Sequence, residues 1–179
     1  SFNKSIDRSE AEYIVMVTDD DPVDSELLSD MYNLYKKYPG LGLYGGFTRN
    51  HRKYEEIESI SPANFITEIF DPHKTTWMLW SSCILNRQLL LKIGKIPNYG
   101  SPHLADHALI GMVGSKGGGV IVNKRYSHLT SHDTNYSKFN FEYYVHGCKG
   151  FYDTMDSFCK EADISDSSML VVRKHLYYW

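Results

Sequence analysis

A chain of 179 residues is long enough to bury one sizeable core, and its apolar and charged fractions, 42% and 23%, are those of a globular domain rather than a disordered or fibrous one. A formal charge of −3 argues against a nucleic-acid partner, which requires a basic face, and no apolar run is long enough for a membrane span or a signal peptide. Three cysteines, Cys83, Cys148 and Cys159, make neither an even disulfide set nor a metal-type pair, which fits a reducing, cytoplasmic compartment.

The first predicted element is a strand. Tyr13 to Val17 is a short apolar run with branched side chains, closed by Thr18-Asp19-Asp20-Asp21-Pro22. It reads as a buried strand of an α/β sheet. Ligands of open α/β sheets bind beyond the carboxyl ends of the strands, so this strand would deliver carboxylates to a ligand crevice. Alternation puts Asp19 and Asp21 on one side and Asp20 on the other. Two hard oxygen ligands one residue apart suit Mg²⁺ or Mn²⁺, which keep open positions for water and substrate phosphate. A solvated acidic turn with an aspartate cap would show the same run.

Asp24 is placed to cap a helix from Ser25 to about Tyr38, with Leu27, Leu28, Met31, Leu34, Tyr35 and Tyr38 on one stripe and Pro39-Gly40 as the stop. Leu41 to Phe47 reads as a strand whose Gly45-Gly46 pair admits another backbone closely. Thr48 to Glu56 is a polar loop, in which Arg49, Arg52 and Lys53 are solvated cations or phosphate contacts. Ile57 to Ile60 is a short strand, and Ser61-Pro62 opens a helix to about Phe70. Thr76 to Leu85 contains a strand. Asn86 caps a short helix ended by Gly94. Ile96 to His103 is a loop over the site, and Asp106 opens a helix through about Val113.

Gly117-Gly118-Gly119 precedes a strand, Val120 to Val122, and so reads as a turn; a phosphate-cradling loop would precede a helix. Phe139 to about Cys159 and Ser165 to Trp179 are helices, with Asp166 as a cap for the second. The high aromatic content, 14 Tyr and 3 Trp, reads first as packing and second as a sugar-stacking face. His103 and His107 are four residues apart, as zinc ligands on a helix would be, but lack the H-E-x-x-H order.

Three blocks together carry a resemblance. Asn3-Lys4-Ser5-Ile6, Ala11 to Ile14 and the aspartates form the first. Trp80 to Arg87 with Leu89-Leu90 and Ile93-Gly94 form the second. Leu104 to Ile110, Gly117 to Lys124 and Ser131-His132 form the third. Over roughly residues 1 to 137 the chain resembles the middle and acceptor side of family 2 glycosyltransferases with the GT-A fold.

The resemblance implies a partial GT-A mixed sheet flanked by helices over 1–137, with a helical extension over 138–179 packing on the same domain. It implies transfer of a sugar from a nucleotide-sugar donor to an acceptor hydroxyl of a glycan or a lipid-linked sugar, in polysaccharide biosynthesis. A lipid-linked acceptor would bring peripheral membrane association. It assigns Asp19, Asp20 and Asp21 to the cation and diphosphate, with Asp19, Asp21 and His132 as ligands of Mn²⁺ or Mg²⁺, and Asp106 as the catalytic base.

The chain departs from the family pattern at Ala105, where Glu is frequent, and at Thr130, where Arg is frequent. The nucleotide-binding βαβ half with which these enzymes begin is also missing, so the expectation is an incomplete enzyme whose exposed sheet edge favours self-association. Two other functions fit the same residues: a non-catalytic module of this fold that binds a glycan or a partner chain, and a small metal-dependent hydrolase using Asp19, Asp21 and His132.

Overall fold

A computed structural model describes residues 2–18, 21–47, 57–73, 78–128, 130 and 141–178. The helices are α1 (Phe2–Arg8), α2 (Leu27–Lys37), α3 (Phe65–Ile69), α4 (Arg87–Lys92), α5 (Ala105–Gly117), α6 (Phe141–Glu161) and α7 (Asp166–Tyr178). The strands are β1 (Tyr13–Ile14), β2 (Leu43–Phe47), β3 (Ile57–Ile60), β4 (Cys83–Asn86) and β5 (Gly119–Arg125). They form one mixed sheet in the order β1-β4-β2-β5-β3, in which β2 and β5 run parallel and the other neighbours antiparallel.

Side-chain alternation along the strands builds two cores. Leu43 and Phe47 of β2, Cys83 and Leu85 of β4, and Ile121 of β5 face one side, where α3, α5, α6 and α7 pack. Tyr44 and Val120 face the other, covered by Leu27, Met31 and Leu34 of α2. Burial of each of those three α2 side chains contributes about 2 kcal/mol. The larger core is organised around α5, where nine of thirteen residues are buried, so the helix is apolar on every side and runs through the interior.

Glycines set the closest approaches. A Cβ on Gly45 would stand 2.5 Å from Cys83 Cβ on the neighbouring strand, as the Gly-Gly interruption implies. On α5, Gly111 and Gly114 leave room for the rings of Phe70 and Phe65; a Cβ at Gly114 would overlap the Phe65 ring. In an exposed helix Gly→Ala gains up to about 1 kcal/mol. Gly114→Ala is expected instead to cost about 1–3 kcal/mol through overpacking. Urea unfolding measures it, and an unchanged or higher midpoint would refute the packing account.

Several sequence expectations are corrected. The run from Tyr13 to Val17 is not a buried strand: only Tyr13–Ile14 pair, β4 is their one neighbour among the described residues, and Val17 is exposed. An apolar run reports burial potential, whereas pairing needs a neighbouring backbone. Asp24 does not cap α2, which starts at Leu27; its carboxylate binds His128 instead. On the α2 stripe, Leu28 is exposed.

The helix opened by Ser61 is split into a 3-10 turn, Pro62–Asn64, and α3. The strand expected within Thr76 to Leu85 is Cys83–Asn86, preceded by a 3-10 turn at Trp80–Ser82. The helix expected to start at Asp106 starts at Ala105 and continues to Gly117, so that glycine is helical rather than part of the turn. Asp166 is the first helical residue of α7, not a residue before it. Asn86 does cap α4, its Oδ1 accepting from Leu89 N at 3.1 Å.

α6 and α7 belong to the same core as α5: Phe151, Met155 and Phe158 of α6 and Met169 and Val172 of α7 join its main cluster. No helix among the described residues is long and apolar enough to cross a membrane.

Candidate active site

Asp21 follows the end of the β1 segment. The chain just beyond it is fastened to the segment after β5: Val23 bridges Ser127, His128 N donates to Pro22 O at 2.9 Å, and Asp24 N donates to Tyr126 O at 2.8 Å. This pairing brings Thr130 to Asp21. Asp21 Oδ2 accepts from Thr18 Oγ1 at 3.0 Å, and Oδ1 accepts from Thr130 N at 3.4 Å, a long and weak contact. His128 Nε2 meets Asp24 Oδ1 at 2.9 Å, with both side chains partly open to solvent.

Asp106 lies in the first turn of α5. The residue that turns the chain into this helix, Leu104, has φ +60°, left-handed backbone that costs a branched residue about 1 kcal/mol or more, and it is 3% exposed. Asp106 Oδ1 accepts from His107 N at 2.9 Å. That bond and the helix N-terminus favour the carboxylate. Burial opposes them and prevails: it is the largest of the causes that push the Asp106 pKa from 3.8 up to about 6. The residue as a whole keeps some exposed surface, while its carboxyl is crowded by protein.

The charge of Asp21 raises the Asp106 pKa further, and His103 lowers it. Asp21 and Asp106, 85 positions apart in sequence, therefore lie within electrostatic reach of each other. Cys83 and Tyr99 also feel the Asp106 charge; burial first, and that charge second, raises both of their pKa values. A carboxyl that titrates near 6 is ionised at neutral pH and still basic enough to accept a proton from a hydroxyl as it reacts.

Asp19, Asp20 and His132, assigned by sequence to the cation and diphosphate, lie outside the described residues, as do Arg49, Arg52 and Lys53. Among the described residues no three of His, Cys, Asp and Glu gather as a metal cluster. Asp21 offers hard carboxylate oxygens, which suit Mg²⁺ or Mn²⁺, ions commonly held by one or two carboxylates with the remaining positions left to water and phosphate.

His103 and His107 form no metal cluster with a third ligand among the described residues. The His103 ring packs on Tyr144 with centroids 4.5 Å apart, while His107 Nδ1 meets His175 Nε2 at 3.0 Å inside the protein. Nothing in the sequence marks that second pair, since its members are 68 residues apart. Ile69, Phe70, Met78 and Ile110 close a small cavity around it. Burial holds both imidazoles well below the ordinary value of 6.5, and His107 lowers His175 further.

No protein-family model matches this chain, and no curated protein matches it. Among solved structures, residues 1–349 of the glycosyltransferase TarS from S. aureus, in complex with UDP-GlcNAc, align with 98% of the chain at a TM-score of 0.66 and 14% identity. The chain spans about half, 51%, of that structure. At this identity the likeness concerns architecture: the fold is glycosyltransferase-like.

Proposed function

We propose that the chain carries the acceptor-side portion of a metal-dependent, inverting glycosyltransferase of the family 2 type, supplied by a nucleotide-sugar donor. The observation that carries the reading is that Asp21 and Asp106 lie within electrostatic reach of each other in a glycosyltransferase-like fold, of which one solved example holds UDP-GlcNAc. One carboxylate, in the irregular chain beyond β1, is partly open; the other is crowded, with a raised pKa. That is the division of labour which transfer to a hydroxyl requires.

Asp21, with Asp19 and His132, would hold Mg²⁺ or Mn²⁺. The cation would supply charge neutralisation for a departing diphosphate. Asp106 accepts the proton of the acceptor hydroxyl as that oxygen attacks the sugar carbon opposite the leaving group, which inverts the stereochemistry there. The surrounding burial, Leu104 and Cys83 among it, limits the access of competing water. A glycan or a lipid-linked sugar would be the acceptor.

Asp21→Ala tests the cation role. With the nucleotide-binding half present, UDP and Mn²⁺ together are expected to raise the melting temperature above that with either alone, and the variant is expected to lose that joint increment. An increment retained in the variant would remove Asp21 from the metal site.

A further inference from the structure

The stretch that delivers Asp106 has no regular secondary structure, yet α6 holds it at several points. Tyr99 OH donates to His103 O at 2.8 Å, closing the loop on itself. Ser101 Oγ donates to Tyr143 O of α6 at 2.9 Å and accepts from His103 N at 3.2 Å. Two glycines on one face of α6 receive the loop. A Cβ on Gly147 would stand 2.5 Å from His103 Cβ, and one on Gly150 would overlap the Tyr99 ring. Phe151 and Met155, both fully buried, anchor α6 and with it the seat in the core. Directly after it comes Leu104 in left-handed backbone, a conformation that persists only where the surroundings enforce it. Asp106 follows two residues later.

We propose that Tyr99, seated on the Gly147/Gly150 face of α6, is the positioning residue of Asp106. The inference rests on the reading of Asp106 as the base, and it makes the C-terminal helices part of the site's machinery. Tyr99 never needs to touch a substrate. Its ring fills the α6 seat and its hydroxyl fixes the His103 carbonyl, so the turn at Leu104 is held and the Asp106 carboxyl stays crowded and aimed. Losing the hydroxyl frees the turn and lets water reach the carboxyl.

The test follows the ¹³Cγ signal of Asp106 against pH in the folded chain. The unaltered protein is expected to titrate near 6. In Tyr99→Phe, which keeps the ring and removes the tether, the midpoint is expected to fall by about one pH unit or more toward an ordinary carboxylate. Gly150→Ala, which displaces the ring, is expected to do the same. A loop that merely packs on α6 would lower the melting temperature in these variants and leave the titration where it was, and that result would overturn the proposal. If Gly150→Ala does not fold, Tyr99→Phe decides alone.

The base reading is tested separately, by sugar transfer in Asp106→Asn. Normal transfer there, with a moved midpoint in Tyr99→Phe, would reject the base and keep the positioning. Lost transfer with an unmoved midpoint would do the reverse.

Discussion

Asp106→Asn is expected to lower sugar transfer by roughly a hundredfold or more, measured with the nucleotide-binding half present, while making the protein more stable at neutral pH. The two effects have one cause. Burial raises the Asp106 pKa from 3.8 to about 6, so the folded state holds a proton over a pH range in which the unfolded state has released it. Any stability linked to this group is therefore present below pH 3.8, declines as pH rises toward 6, and stays absent above it. At pH 7.5 the native protein carries an ionised carboxylate in crowded surroundings at a cost on the order of 2 kcal/mol, allowing for its partial exposure. Asparagine keeps the size and can still accept from His107 N, but it carries no charge. Melting curves at pH 7.5 and pH 4 should show a raised midpoint for the variant at the higher pH and almost none at the lower. Transfer by the unaltered protein should rise with pH through about 6. Loss of stability at pH 7.5 with unchanged transfer would mean that Asp106 is an ordinary helix-terminal residue.

A second large effect is expected in acid. His107 and His175 lie against each other at 3.0 Å, with Phe70 and Phe151 packed around His175 at centroid distances of 4.8 and 6.0 Å. Both pKa values are held below 6.5 by burial, so the unfolded chain takes up protons that the native core refuses. Their contribution is intact above pH 6.5 and is lost progressively below it, by up to about 1.4 kcal/mol per pH unit for each ring. The neighbouring titratable groups are His103, whose positive form opposes protonation of His107, and Asp106, whose own linkage runs the other way between pH 6 and 3.8. Two histidines outweigh one aspartate, so net stability should fall from pH 7 to pH 5. His175→Phe removes one titrating ring from the interface of α5 and α7. It should flatten that fall by half or more, at some cost at pH 7 from the lost hydrogen bond. Equal slopes in the two proteins would show that the pair does not govern acid stability.

Much of the secondary structure was legible in the sequence because it depends on local signals. Asn86 before an apolar helix, Pro39-Gly40 after one, and Gly45-Gly46 in a strand each act within a few residues of themselves. Misplaced boundaries share a different origin. Asp24 has the chemistry of a cap, but His128 lies within 2.9 Å of its carboxylate and takes it instead. The run after Tyr13 has the composition of a central strand but pairs over two residues only, because β4 is its single described neighbour. The α6 seat left a faint trace, glycines three apart in a long aromatic helix. Such a pair signals a close approach without naming the partner.

By itself the sequence determined the α/β class, the order of most elements and the carboxylate near the start of a helix at Asp106. These are properties of composition, periodicity and neighbouring residues, which hydrophobic burial and backbone preference translate directly into structure. Only the tertiary structure decided that Asp21 and Asp106 lie within reach of each other's charge, that burial raises the Asp106 pKa, that His107 faces His175, and that Tyr99 rests on α6. Each of these depends on dielectric surroundings and on contacts between segments tens of residues apart, which exist only once the two cores have closed around the sheet.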